Sequence, residues 1–135
     1  MPKSRLLAVL AVLVVAGCGG GSTGGGSTDG VDGPATKVDL TYSAGGATKT
    51  QSLDCIGSAA EQGPSCALLK KLQASVFEPV PKDTACTMIY GGPETATIEG
   101  QIDGKRIDAK FSRINGCEID RFTKVEPLFA EMAGN

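Results

Sequence analysis

The sequence contains no histidine and no tryptophan, and these two absences narrow the function considerably. Without an imidazole, neither a Ser-His-Asp triad nor a Cys-His pair can form, and zinc sites built on histidine are excluded. Carboxylate pairs are the remaining acid–base option, but aspartate and glutamate are scattered singly along the predicted strands, which is typical of solvated faces. We therefore predict that the protein is not an enzyme and that it uses no metal and no cofactor.

Long basic runs are also lacking, and aromatic residues are few, with two tyrosines and four phenylalanines. Of the 13 lysine and arginine residues, Lys3 and Arg5 precede Cys18. From Cys18 onward the chain has eleven lysine and arginine residues and fifteen aspartate and glutamate residues, which gives a net charge of −4. Nucleic-acid binding through a basic, phosphate-facing patch is therefore not expected.

The first seventeen residues have the pattern of a secretory signal. Lys3 and Arg5 give a positive start, and the apolar residues 6–17 form a run shorter than the about 20 residues of a membrane span. The run ends in Val-Val-Ala-Gly-Cys, which resembles a bacterial lipobox. We predict cleavage before Cys18, lipid attachment to Cys18 and a location on the outer face of the cell membrane. The alternative is ordinary cleavage nearby, which would leave Cys18 a free thiol and the protein secreted.

Residues 18–35 form the predicted lipidated cysteine and its linker. The sequence GGGSTGGGSTDGVDGP, residues 19–34, is rich in glycine, serine and threonine, a composition typical of flexible coil. Sixteen such residues span roughly 20–25 Å in root-mean-square terms. The single folded domain is predicted to occupy residues 36–135.

Four cysteines remain within this domain: Cys55, Cys66, Cys86 and Cys117. Exported domains commonly use disulfides as covalent cross-links, and four cysteines allow three pairings, between which the sequence alone does not decide. Sequential pairing gives the simplest loops. A four-thiolate metal site is disfavoured because no close Cys-x-x-Cys pair is present.

The hydrophobic pattern predicts an α+β domain. Residues 36–44 alternate as a half-buried strand, and residues 48–55 are the predicted return strand of a hairpin. Residues 63–77 change to helical spacing, and a helix must end before the Glu-Pro-Val-Pro at 78–81. Further strands are predicted at 94–100 and 105–114, a short helical turn at 118–122 and an edge strand at 124–129. The expected fold is a five-stranded antiparallel sheet with one main helix, one short helix and two disulfides.

The stretch Cys-Thr-Met-Ile-Tyr, residues 86–90, precedes a Gly-Gly-Pro breaker at 91–93. Glycine and proline mark loops, and loops lie on the surface, so this stretch predicts exposed apolar side chains. The alternative is that Met88 and Ile89 are buried in a short core strand.

Several short motifs together resemble the subtilisin inhibitor-like family of exported actinobacterial serine protease inhibitors. They are C-T-M-I-Y at 86–90, E-G-x-x-x-G-K-R-I at 99–107 and N-G-C-E at 115–118. The resemblance extends over residues 36 to about 129 and is firmest at these positions: Cys86, Met88, Tyr90, Gly100, Gly104, Lys105, Arg106, Asn115, Cys117 and Glu118.

The resemblance implies an α/β sandwich with a five-stranded antiparallel sheet and sequential disulfides, Cys55–Cys66 and Cys86–Cys117. It also implies that the segment after the third cysteine is a reactive loop, formed by Cys86, Thr87, Met88, Ile89 and Tyr90. Met88 would fill the primary specificity pocket of a protease, and the scissile bond would be Met88–Ile89. Asn115 would be a candidate brace for this loop.

The function expected from the resemblance is a membrane-tethered, extracytoplasmic inhibitor of subtilisin-like serine proteases. Such inhibitors often form homodimers through the sheet, which an apolar outer sheet face would favour. The alternative function is a non-inhibitory lipoprotein binding module that keeps the same scaffold and uses the loop or another face for a different partner.

Overall fold

The computed structural model describes residues 35–57 and 63–134, and within them the domain is α+β. The predicted signal peptide, the lipidated Cys18 and the linker up to residue 34 lie outside the described residues. The strands are β1 (Thr36–Ala44), β2 (Ala47–Cys55), β3 (Thr95–Ile102) and β4 (Lys105–Phe111). The helices are α1 (Pro64–Lys71), α2 (Ala74–Phe77), α3 (Gly116–Val125), a 3₁₀ helix (Glu126–Phe129) and α4 (Ala130–Ala133).

The four strands form one fully antiparallel sheet in the order β2-β1-β3-β4. Two hairpins are closed by two-residue turns, Gly45–Gly46 between β1 and β2 and Asp103–Gly104 between β3 and β4. All four turn residues have positive φ, the backbone geometry of the tight turns that suit the twist of a hairpin. These turns fix the register of both strand pairs.

One face of the sheet carries the hydrophobic core. The alternating pattern of β1 and β3 places their apolar residues on this face, where all the helices pack. Tyr42 at its rim stacks on Phe129, with 6.0 Å between the ring centroids. The buried residues of the strands and of the first two helices include Val38, Leu40, Cys66, Leu69, Val76, Ala96, Ile98, Ala109 and Phe111.

The other side of the sheet, here called the open face, carries only polar and charged side chains. Threonine and serine pairs hydrogen-bond across its strands, as in Ser43 with Thr48 at 2.8 Å. The open face is therefore not the apolar outer surface that would favour a homodimer through the sheet. Its residues are Lys37, Asp39, Thr41, Ser43, Thr48, Thr50, Ser52, Asp54, Thr95, Thr97, Glu99, Gln101, Arg106, Asp108 and Lys110.

The predicted fifth strand at 124–129 is wrong. Lys124 and Val125 complete α3, and the following residues form the 3₁₀ helix, with Pro127 in its first turn where a missing N–H is tolerated. Val125, Leu128 and Phe129 are all buried. A strand would turn Val125 and Leu128 to opposite faces, whereas helical spacing buries all three together.

The helices also differ from the prediction in length. The segment 63–77 is split by an extended backbone at Leu72 and Gln73 into α1 and the short α2. The short helical turn predicted at 118–122 is instead the ten-residue α3. Because α2 ends at Phe77, the carbonyl of Val76 has no partner within the helix and accepts two hydrogen bonds from Arg121 of α3, at 3.3 and 3.2 Å.

Both disulfides are present with sequential pairing, Cys55–Cys66 and Cys86–Cys117. The first joins the end of β2 to α1, and the second joins the segment before β3 to the start of α3. Two disulfides in a domain of this size indicate an oxidising, extracytoplasmic location. In the parts of the chain that the structure describes, none of the helices is long and apolar enough to cross a membrane.

The chain enters the sheet at the end opposite to the start of β3. Thr36, the first residue of β1, pairs with Cys55, whereas Ser43 near the other end pairs with Thr95. The entry is fixed by the hydroxyl of Thr36, which donates to the Asp103 carboxylate at 3.3 Å and accepts from the Asp103 N–H at 3.0 Å. The segment that precedes β3 is thus remote from residue 36.

Candidate functional site

The longest irregular segment of the described chain joins α2 to β3, and its last part, residues 84–93, is here called the exposed loop. Three prolines and a Gly-Gly pair explain why no helix or strand forms: Pro79, Pro81, Pro93, Gly91 and Gly92. Proline lacks the N–H that regular structure needs and disfavours helix at the residue before it. A turn precedes the loop, where the Thr84 N–H donates to the Pro81 carbonyl at 3.0 Å.

The exposed loop displays three consecutive large apolar side chains. Met88 is 92% exposed, Ile89 56% and Tyr90 68%. The expectation that these side chains lie in solvent is confirmed, and the alternative of a buried core strand is wrong. Isolated exposed apolar residues are ordinary, but three in succession on a loop form a patch of the kind that marks interaction sites.

Residues 113–117, here called the bracing segment, hold the exposed loop on both sides of this patch. Before the patch, the Gly116 N–H donates to the Thr87 carbonyl at 2.9 Å, and Cys86 is covalently bound to Cys117. After the patch, the Gly91 N–H donates to the Arg113 carbonyl at 2.8 Å.

Between these anchors the backbone is open. Met88, Ile89 and Tyr90 have no backbone hydrogen-bond partner among the described residues. Their N–H and C=O groups are therefore available to an extended strand of another protein. The loop thus combines fixed ends with an unpaired centre.

Two glycines allow the loop and the helical region to approach closely. A Cβ on Gly116 would lie 2.0 Å from the Thr87 hydroxyl, and one on Gly91 would lie 2.9 Å from the Ile119 side chain. Real Cβ contacts are not this short, so a larger residue at either position would force the Thr87 or Ile119 side chain to shift. Glycine at both positions therefore seats the loop against α3.

The start of α3 is fixed by Asn115, whose side chain accepts from the Glu118 N–H at 2.9 Å. This is N-capping, which commonly stabilises a helix by about 1 kcal/mol. Among the described residues, the Asn115 side chain makes no hydrogen bond to the exposed loop itself. Its support is indirect, because it positions Gly116 and Cys117, which do contact the loop.

Arg121 connects α3 to the rest of the domain and is nearly buried. Its guanidinium donates to the Val76 carbonyl, pairs with the Glu118 carboxylate at 2.7 Å and lies 4.9 Å from the centre of the Phe111 ring. These partners satisfy a charge that would be costly to bury alone. Arg121 therefore fixes the position of α3, against which the exposed loop packs.

Sequence reasoning did not identify four residues that build this site: Gly91, Arg113, Gly116 and Arg121. One local signal was available, because Asn115 followed three residues later by Glu118 is a helix-start pattern. It would have predicted the beginning of α3 beside the loop. The other contacts connect distant parts of the chain and leave no local pattern.

A groove of about 670 Å³ lies beside the exposed loop. Its walls are mainly apolar and include Pro79, Val80, Pro81 and Ala85, while Ile89 is shared with the loop. Clefts of about 300–1,000 Å³ with apolar walls are the usual size for bound ligands.

No group of three or more potential metal-ligating side chains is found within residues 35–57 and 63–134. Comparisons of the chain with protein-family models, with curated proteins and with solved structures yield no match. The likeness to the subtilisin inhibitor-like family therefore depends on the sequence motifs alone.

Proposed function

We propose that the protein is an extracytoplasmic inhibitor of subtilisin-like serine proteases that binds them through the exposed loop. The observation that carries the proposal is the exposed sequence Met88-Ile89-Tyr90 between two backbone anchors on one bracing segment. An apolar stretch that is held open to solvent, with its backbone unpaired, has the properties of a bound substrate.

In the proposed complex the loop adds to the substrate-binding strand of the protease. The unpaired backbone of residues 88–90 supplies hydrogen bonds, and alternate side chains enter specificity pockets. Met88 enters the primary pocket, since its unbranched thioether side chain adapts to an apolar cavity. Cys86 and Thr87 lie on the N-terminal side of the scissile Met88–Ile89 bond, and Tyr90 lies on the other side.

Inhibition, as opposed to digestion, follows from the two anchors. If the protease cleaves Met88–Ile89, the Thr87 side remains held by Gly116 and the Cys86–Cys117 disulfide, and the Tyr90 side remains held through Gly91. The new ends stay close together, so that resealing competes with release. Pre-ordering also reduces the conformational entropy lost on binding. The protease supplies all the chemistry.

The cellular arrangement is part of the proposal. A lipid on Cys18 would tether the inhibitor to the outer face of the cell membrane, and residues 19–34 would act as the spacer. Mass spectrometry of the protein isolated from the membrane fraction tests this, because lipid attachment adds a diacylglycerol-sized mass at Cys18 that a Cys18→Ala variant lacks.

The test of the inhibitory function is titration of the purified full chain, with both disulfides oxidised, into subtilisin and a chromogenic substrate. Stoichiometric loss of protease activity is expected. A Met88→Lys variant should lose potency towards subtilisin and gain it towards trypsin, because trypsin requires a cation in its primary pocket. This exchange would identify Met88 as the specificity residue.

Ile56→Lys is the matched control. Ile56 is also an exposed apolar residue, but it follows Cys55 at the opposite end of the sheet. This variant should inhibit subtilisin like the parent and should not gain activity against trypsin. Absence of inhibition by the parent, or rapid cleavage at Met88 with full recovery of protease activity, would contradict the proposed function.

The second candidate is a non-inhibitory binding module, which the groove beside the loop favours. Its apolar walls and the shared Ile89 would suit an apolar ligand or peptide segment. The two candidates differ in one measurement, since a binding module leaves subtilisin fully active at equimolar concentration.

A further inference from the structure

Two methionines lie in the described part of the chain, and their environments are opposite. Met88 is 92% exposed at the centre of the exposed loop, whereas Met132 of α4 is 7% exposed in the core. An oxidant in solution reaches a thioether according to its exposure. The chain therefore contains both a highly accessible methionine and a buried one for comparison.

Met88 has little competition for an oxidant from other sulfur atoms in the described residues. All four cysteines there are paired in the Cys55–Cys66 and Cys86–Cys117 disulfides, so none is a reactive thiol. In an oxidising, extracytoplasmic setting, the Met88 sulfur is the accessible reduced sulfur of this region.

We propose that Met88 is an oxidation site and that its conversion to the sulfoxide switches the inhibitor off; the regulatory part rests on the proposed function. The oxidant is a peroxide. A lone pair of the thioether sulfur attacks one peroxide oxygen, the O–O bond breaks, and an S–O bond forms. Sulfur loses two electrons, and the leaving oxygen takes up a proton and departs as water when hydrogen peroxide is used.

Oxidation of Met88 is expected to weaken recognition by the protease without disturbing the fold. The Met88 side chain is almost entirely in solvent, so the added oxygen disturbs no core packing and leaves the anchors at Thr87 and Gly91 in place. In the apolar pocket of a protease, however, the sulfoxide is a polar group without a hydrogen-bond partner. We expect oxidised protein to bind about 10- to 100-fold more weakly.

The experiment exposes the full chain, with both disulfides intact, to graded hydrogen peroxide, and catalase removes the peroxide before assay. Peptide mass mapping measures the 16-dalton addition at Met88 and Met132 separately. Titration of subtilisin measures inhibition in the same samples. We expect oxidation at Met88 well before Met132, with the apparent inhibition constant rising as the fraction of Met88 sulfoxide grows.

Two variants distinguish loss of inhibition through Met88 oxidation from loss of inhibition through oxidation elsewhere in the protein. Met88→Leu, with an apolar side chain that peroxide does not oxidise, should give the same inhibition constant before and after treatment. Met132→Leu, a swap of similar volume, should remain as peroxide-sensitive as the parent. A methionine sulfoxide reductase should restore inhibition by the parent chain.

Equal oxidation of both methionines would overturn Met88 as a selective site. Oxidation of Met88 without loss of inhibition would overturn the switch while leaving the proposed function intact. If the untreated chain does not inhibit at all, the switch falls together with the proposed function, and mass mapping still decides whether Met88 is the selectively oxidised residue.

Discussion

The exposed loop and the open face of the sheet both lie in solvent, but one displays apolar side chains and the other only polar ones. On the open face, neighbouring residues satisfy one another, as in the 2.9 Å ion pair between Lys37 and Asp54 and the hydrogen bond between Ser43 and Thr48. In the exposed loop, Met88, Ile89 and Tyr90 have no backbone partner among the described residues. Side chains of the open face thus bond to one another, whereas the backbone groups of loop residues 88–90 are available to bind another molecule.

The difference also appears in how each surface is supported. The open face is the outer side of a regular antiparallel sheet, whose geometry the β-strands determine by themselves. The loop has no regular structure and depends on contacts with the bracing segment, including one disulfide. Substitutions should therefore affect the loop through distant residues, but the open face only locally. Substitutions in the two regions test this contrast.

Removing the disulfide at the loop should have the largest effect. Cys86→Ser with Cys117→Ser opens a bridge with a sequence separation of 31, which costs about 4 kcal/mol of unfolding free energy in the chain-entropy estimate. Subtilisin should then cleave the loop quickly and recover its activity. Urea unfolding and the time course of protease activity measure the two effects.

The other disulfide provides the control for this change. Cys55→Ser with Cys66→Ser opens a bridge with a sequence separation of 11 and should cost about 3 kcal/mol. Because this bridge lies away from the exposed loop, the folded variant should still inhibit subtilisin. Equal loss of inhibition in both pairs of variants would show that general stability, not the loop anchor, controls the function.

Gly116→Ala should have the next largest effect, since its Cβ would lie 2.0 Å from the Thr87 hydroxyl. Overpacking of this kind typically costs about 1–3 kcal/mol, and here it should displace the loop and weaken inhibition. Adding Thr87→Ala removes the clashing hydroxyl and should recover part of the stability. Thermal unfolding of the two single variants and the double variant measures this coupling, and simple additivity would contradict the contact.

Thr41→Val on the open face should have a small effect. It removes the hydroxyl that lies 3.4 Å from the Thr50 hydroxyl but keeps the branched shape that suits a strand. Surface changes of this kind usually alter stability by less than about 0.5 kcal/mol. Inhibition of subtilisin should not change. A marked loss of inhibition would mean that the open face takes part in binding the protease.

The smallest effect concerns pH and Lys37. The hydrogen bond and the charge of Asp54 raise the pKa of Lys37 above its ordinary value. A raised folded-state pKa means that the stabilising contribution is fully present below the ordinary lysine pKa and is lost as the pH rises through the folded-state value. An NMR titration of Lys37 should show the raised pKa in the parent and a return towards the ordinary value in Asp54→Asn. An unchanged pKa in that variant would remove Asp54 as the cause.

Much of the sheet could be predicted from the sequence because its signals are local. The alternation in residues 36–44 predicted β1 with the observed bounds, and both hairpin turns have local sequences that favour tight turns, Gly-Gly and Asp-Gly. The predicted strand at 105–114 instead ends at Phe111, and two residues later the carbonyl of Arg113 accepts a hydrogen bond from the Gly91 N–H of the exposed loop. The residues after Phe111 thus follow a tertiary contact that no local pattern reveals.

The helical layer was harder to predict for the same reason. Nothing in the sequence around Leu72 requires a break, and Arg121, whose hydrogen bonds to the Val76 carbonyl hold α2 against α3, lies 45 residues further on. The fifth strand was predicted because Lys-Val-Glu-Pro-Leu-Phe tolerates an extended reading. The structure forms a helix there instead, because helical spacing buries Val125, Leu128 and Phe129 on one side. For the site, the loop breakers predicted exposure of Met88, whereas the backbone anchors at Thr87 and Gly91 became visible only in the fold.

The direction of β1 has a consequence for how the domain is presented. Nine residues in extended form cover about 27 Å, and this length separates Thr36 from the sheet end at which the exposed loop joins β3. Any attachment made through the chain before Ala35 therefore joins the domain at the end of the sheet opposite to the one where the exposed loop joins β3. A partner bound to the loop would contact the domain at the far end of the sheet from this point of entry.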